Sequence, residues 1–152
     1  MSLYRIKQLL WALRHRLTVS EKAWIDRALA ERERELFYAL HPADQAHAFR
    51  VAESVRLNVH YQKLPPWEKQ LTVRLALLHD VGRGGAQRLI LKKILHVCLN
   101  WLPFIRRLSP FKDHKDEGIR RLQLIGAADI AELLGHPEHA IAQIVNWADN
   151  FN

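Results

Sequence analysis

Apolar residues recur at three- and four-residue intervals along most of this chain, the spacing of helices that bury one stripe. Ile6, Leu9, Leu10, Leu13 and Leu17 form the first such stripe. Thr18-Val19-Ser20-Glu21 has the layout of a capping box, so a helix should start there with Trp24, Ile25, Ala28 and Leu29 on its inner face. A third stretch spans Glu31 to Leu40 and stops at His41-Pro42. The next runs from about Asp44 to Tyr61, with Ala48, Val51, Ala52, Val55 and Val59 inward. Pro65-Pro66 breaks the chain and opens a helix that ends at His79. Gly82 to Gly85 reads as a loop, Leu89 to Leu102 as a helix, and Ser109-Pro110 as the start of another loop. The last two helices are expected at about His114 to Ile125 and Pro137 to Trp147.

No stretch alternates every two residues with β-branched enrichment, so no sheet is expected. The fold class is all-α, a single-domain helical bundle. Residues 1–40 would be an N-terminal helical extension packed on a main domain of residues 41–152.

Composition narrows this picture only a little. At 152 residues the chain can bury a substantial core, and 49% hydrophobic with 26% charged residues is a globular balance. One cysteine, Cys98, excludes an intrachain disulfide framework and suits a reducing cytoplasm, the expected location. Met1-Ser2-Leu3-Tyr4-Arg5 lacks the layout of a signal peptide. The most apolar segment, Leu89 to Ile105, is interrupted by Lys92, Lys93, His96, Asn100 and Pro103 and reads as a core helix with one polar face. The net charge of +7 favours anionic partners without choosing among phosphorylated small molecules, nucleic acid and acidic lipid.

The candidate chemistry starts at His79-Asp80, which closes the apolar run Leu71 to Leu78 and leads into Val81-Gly82-Arg83-Gly84-Gly85. An imidazole nitrogen and a carboxylate oxygen are both ligands for divalent metals, and the glycines let the backbone turn and be approached closely. Alone, the pair is also an ordinary helix end. His47, with Arg50 and Val51 on its face, sits near the start of an amphipathic helix. A polar pocket holding a metal and an anion would explain a histidine and an arginine facing inward; so would an ordinary hydrogen bond at the rim. Asp149 puts a carboxylate at the end of an otherwise apolar helix. His114 is either a site residue or part of a solvated helix start, and Asp113 and Asp116 beside it suit the helix dipole.

In order, His47, His79-Asp80 and Asp149 resemble the pattern of the HD superfamily of metal-dependent phosphohydrolases. His47-Ala48-Phe49-Arg50-Val51-Ala52 is similar to that family's His-x-x-Arg-Val-Ala start. Leu75-Ala76-Leu77-Leu78-His79-Asp80-Val81-Gly82 resembles its Ala-x-Leu-Leu-His-Asp-x-Gly signature. His114-Lys115-Asp116-Glu117-Gly118 resembles the His-x-x-x-Gly segment of the branch with extra histidines. The resemblance covers about residues 43–152.

It implies an HD-type bundle in which His47, His79, Asp80 and Asp149 ligate one divalent ion: Mn²⁺, Fe²⁺, Ni²⁺, Co²⁺ or Mg²⁺. Asp80 and His114 would handle protons, and Arg50 and Arg83 would stabilise phosphoryl oxygens. Two departures stand out. Arg83 replaces the lysine common after the signature glycine, keeping the charge but changing its geometry. No histidines flank Trp147-Ala148, which argues against a second metal. The implied substrate is a small phosphate ester, a nucleotide or nucleotide-derived signal. The other readings are a regulatory module that binds metal and a nucleotide or protein without turnover, and attachment to membrane or nucleic acid.

Overall fold

The computed structural model describes residues 16–83 and 114–152. The expected helix at Ile6 to Leu13, the Gly84-Gly85 part of the loop, the Leu89 to Leu102 helix and the Ser109-Pro110 loop lie outside the described residues. Within them there are eight α-helices, one 3-10 turn and no strand. In chain order these are α1 (Val19–Ala28), α2 (Glu31–Tyr38), α3 (Pro42–Leu57), α4 (Val59–Lys63), α5 (Pro66–Leu78), the 3-10 turn (Val81–Arg83), α6 (His114–Leu124), α7 (Ala128–Gly135) and α8 (Ala140–Phe151).

Local signals explain most of these boundaries. Thr18 caps α1 through a true capping box: Glu21 N donates to Thr18 Oγ1 at 3.3 Å, and Thr18 N to the Glu21 carboxylate at 2.6 Å. Pro42 and Pro66 open α3 and α5, where their missing N–H is not needed. The helix expected from Asp44 to Tyr61 is two helices. Asn58 ends α3 in an extended conformation, and its side chain accepts from His60 N and Tyr61 N to start α4. Ala48, Val51, Ala52 and Val55 are fully buried as expected, but Val59, beyond the break, is 69% exposed. α7 was not expected from the apolar spacing. Gly126, at φ +83, ends the preceding turn, and Ile130, Ala131 and Leu133 then bury one side of an eight-residue helix.

α5 is the hub. Thr72, Val73, Leu75, Ala76, Leu77 and Leu78 are all buried, because α3 and α8 cover it and α1, α2, α4 and α7 also touch it. The C-terminal half of α5, apolar apart from Thr72 and Arg74, belongs in a core. Leu77 and Leu78 are fully excluded from solvent, worth about 1.5–3 kcal/mol each. The Thr72 hydroxyl is satisfied by donating to the Glu68 carbonyl at 2.6 Å. Leu17, Ile25, Leu29, Phe37 and Leu40 join the same apolar cluster as Val51, Leu77, Leu122 and Val145, so the core runs continuously across residue 40. No helix among the described residues is long and apolar enough to cross a membrane.

One charged network spans this packing. Arg74, the polar position in the buried half of α5, bonds Glu33 of α2 through Nε at 3.1 Å and Asp129 of α7 through NH1 at 2.6 Å. Glu33 is 2% exposed and also accepts from Ala30 N at 2.9 Å, so it caps α2 while pairing with Arg74.

Candidate metal centre

Three helices that share the core deliver the candidate ligands to one point. His47 comes from the second turn of α3, His79 caps the C-terminus of α5, and Asp149 sits in the last turns of α8. Asp80 follows at the start of the turn that leads into the 3-10 segment, where Arg83 N bonds the Asp80 carbonyl at 2.9 Å. Ligand atoms of His47, His79 and Asp80 all lie within 4.8 Å of one another. Asp149 Oδ1 is 2.9 Å from His47 Nε2 and 3.7 Å from His79 Nε2, a hydrogen bond and a longer electrostatic contact respectively. The two imidazole rings meet edge to face, with centroids 5.6 Å apart.

The hydrogen bonds prepare these atoms for a cation. His79 Nδ1 lies 2.8 Å from the Ala76 carbonyl, so Nδ1 carries the proton and donates it. That bond turns Nε2 toward Asp80 Oδ2, 3.5 Å away, and Nε2 is buried without a hydrogen-bond partner among the described residues. A histidine oriented by a backbone carbonyl on one nitrogen, with the other left to the site, is the usual posture of a metal-ligating imidazole. Asp80 is 2% exposed, and its Oδ2 meets Arg83 NH1 in an ion pair of 2.6 Å.

The charge balance points the same way. Burial alone would lower the His79 pKa. The Asp80 and Asp149 carboxylates and the Ala76 carbonyl outweigh it and raise the imidazole above its ordinary value. Hydrogen bonding to His47, then the interaction with His79, holds Asp149 well below the usual carboxylate range against the opposing effect of burial. The site therefore attracts positive charge. Two imidazoles and two carboxylates form a mixed nitrogen and oxygen donor set that suits first-row divalent ions. On donor chemistry and on the orphaned His79 Nε2, the residues fit a metal.

His79, Asp80 and Asp149 open onto a cleft of about 170 Å³. Arg83 and His114 line it too, from the 3-10 turn and the start of α6. A glycine pair brings these two elements together: a Cβ at Gly82 would fall on the His114 carbonyl and on Gly118 N, so only glycine permits the approach. Arg121 adds a bond from NH1 to the Val81 carbonyl at 3.3 Å. Arg50 is placed differently. It lines a separate cavity with Arg56, Tyr61 and Lys69, and burial lowers its pKa. Two polar residues of the cleft, Lys115 and Asn146, were not singled out as candidates in the sequence. Asn146 precedes Asp149 by three positions on α8, a same-face spacing that could have identified it.

No family model, no curated protein and no solved structure matches this chain.

Proposed function

We propose that this chain is a metal-dependent phosphohydrolase of the HD-superfamily type, a single helical domain whose substrate is a phosphate ester. The observation that carries the proposal is the convergence of His47, His79, Asp80 and Asp149 from α3, α5, its following turn and α8 beside a cleft lined by Arg83 and His114. These four side chains would hold a divalent cation. When bound, such an ion supplies Lewis acidity and lowers the pKa of water, in favourable cases to about 7.

The chain's own residues supply the rest. Arg83 carries a planar guanidinium suited to two phosphoryl oxygens and would stabilise charge that develops there. His114, on another wall of the cleft, would give a proton to the departing ester oxygen. Asp80 can take a proton from the attacking water. The cleft is smaller than the ~300–1,000 Å³ typical of small-molecule sites, so its described walls account for a phosphoryl group and not for a whole nucleotide. A nucleotide or nucleotide-derived signal remains the expected substrate on the resemblance.

A second reading, a regulatory module that binds metal and a nucleotide or protein without turnover, is favoured by one observation. Arg50, expected to share the phosphoryl charge with Arg83, lines a different cavity.

The deciding experiment measures metal content of purified wild type and Asp80→Ala, with phosphate release from a panel of nucleotides on the same samples. About one transition metal per chain, lost in the variant together with turnover, is the expected result. Metal without turnover selects the regulatory module. No metal after purification and reconstitution rejects the four-ligand site.

A further inference from the structure

Asp80 is buried, and its counter-charge comes from three residues along its own turn, Arg83 NH1 at 2.6 Å from Oδ2. That oxygen is also the one that faces His79 Nε2 at 3.5 Å. Arg83 therefore engages the carboxylate atom that faces His79 Nε2, a nitrogen with no hydrogen-bond partner among the described residues. A buried carboxylate left bare is costly, so an ionised Asp80 is stabilised by a cation beside it. His79 Nε2 lies between the two carboxylates, 3.5 Å from Asp80 Oδ2 and 3.7 Å from Asp149 Oδ1, and Asp149 also meets His47 at 2.9 Å.

Arg83 is itself incompletely satisfied. Its Nε is buried and has no hydrogen-bond acceptor among the described residues. Its side chain lines the cleft and is 22% exposed, against 3% for the Asp80 side chain. A guanidinium presents five donors in a rigid fork. NH1 meets Asp80 Oδ2 as an ion pair and not as an aligned hydrogen bond, and Nε has no acceptor among the described residues.

We infer that Arg83 is an exchangeable counter-ion, competing with a divalent cation for Asp80 Oδ2 and turning to an anionic oxygen once displaced. This deepens the metal-site proposal and rests on it. The consequence is an order of binding. The cation enters first and releases the guanidinium, and a phosphoryl-type anion then takes up the freed fork. Without the cation, Arg83 stays committed to Asp80 and the anion is held weakly. Metal and anion affinities are thereby coupled through one side chain.

The test compares wild type, Arg83→Gln, Arg83→Lys and His47→Ala for Mn²⁺ binding by electron paramagnetic resonance, with no substrate present. Arg83→Gln should bind Mn²⁺ at least about tenfold more tightly, because the competing buried charge is gone. Arg83→Lys keeps a cation and should stay near wild type. Unchanged or weaker binding in Arg83→Gln, with His47→Ala still abolishing binding, overturns this inference and leaves the metal site standing. No saturable Mn²⁺ binding in any protein overturns both. A measurement on wild type alone guards against a variant that fails to fold. The Arg83 Nε–Hε signal in a ¹⁵N spectrum should shift on saturation with Zn²⁺ and again on adding inorganic phosphate. A signal indifferent to Zn²⁺ rejects the exchange. Phosphate that binds wild type equally well with and without Mn²⁺ rejects the order.

Discussion

At the scale of single residues, the decisive question is where each buried charge finds its partner. Arg74 answers for Glu33 and Asp129 at once, and only Asp129 keeps much contact with water, at 46% side-chain exposure against 3% for Glu33. Arg74→Ala should therefore cost about 3–5 kcal/mol in a denaturant melt, because it strands the Glu33 carboxylate in the core. Replacing both partners with leucine should recover part of that loss but not all, since Glu33 also caps Ala30. A single variant within 1 kcal/mol of wild type, on the order of an exposed pair, would show the bridge to be superficial. Asp129 gives the same network a pH signature. Burial would raise its pKa, but the Arg74 hydrogen bond and charge, with the Ile130 amide, hold it below the ordinary value. A carboxyl lowered on folding stabilises the protein above its unfolded pKa of about 3.9, and that contribution is lost as pH falls through the folded value. Asp129→Asn should thus make the loss of stability below about pH 4 shallower. Superimposable acid limbs in the two proteins would argue that Asp129 titrates alike folded and unfolded. None of this was legible beforehand, because Glu33, Arg74 and Asp129 share no local pattern. His47 and His79-Asp80 were legible because each sits in a short motif with its own chemistry.

At the scale of elements, the sequence was most readable where side chains punctuate the backbone and least where tertiary contact decides. The capping box at Thr18 and the prolines at 42 and 66 mark helix starts that the structure keeps. The break at Asn58 escaped because the apolar spacing of α3 carries on past it to Val59, and only the cap reveals that the helix has ended. α7 escaped because it is only eight residues long and follows Gly126, so a periodicity argument has little to work on. The join between the 3-10 turn and α6 lies at the opposite extreme. Gly82 was read as part of a loop whose glycines allow a sharp turn and a close approach, and the approach it permits is that of α6, at His114 and Gly118. Gly82→Ala should destabilise the protein by about 1–3 kcal/mol, since backbone must move to admit the methyl group. Gly118→Ala should cost less, because its nearest neighbour would be Gly82 N at 3.3 Å, a contact that a small shift relieves. Thermal melts of the two variants test this ranking. Equal or reversed losses would mean that the turn and α6 are not in close backbone contact in solution.

At the scale of the whole molecule, the candidate ligands tie together helices that are far apart in the chain. His47 and Asp149 meet across α3 and α8, with α5 between them in sequence and against both in space. The all-helical architecture was readable from period alone, but this convergence was not; it was inferred from a resemblance and needed the packing to bring the atoms together. A cation held by residues of α3, α5 and α8 exists as a site only in the folded state, so its binding energy adds to folding. At a hundred times its Kd, such an ion stabilises the fold by about 2.7 kcal/mol. For a chain of this length that corresponds to a Tm rise of roughly 5–10 °C, since each kcal/mol shifts Tm by about 2–4 °C. Stripping the protein with a chelator and titrating Mn²⁺ back should reproduce that rise in wild type and eliminate it in His47→Ala. Asp149→Ala should retain a smaller rise, because His47, His79 and Asp80 still present donors within 4.8 Å of one another. A Tm that does not respond to Mn²⁺ in wild type would mean the four side chains hold each other and not a metal. The His47–Asp149 hydrogen bond and the longer His79 contacts would then be a structural clasp between α3, α5 and α8, and the cleft beside them would have to be explained without a cation.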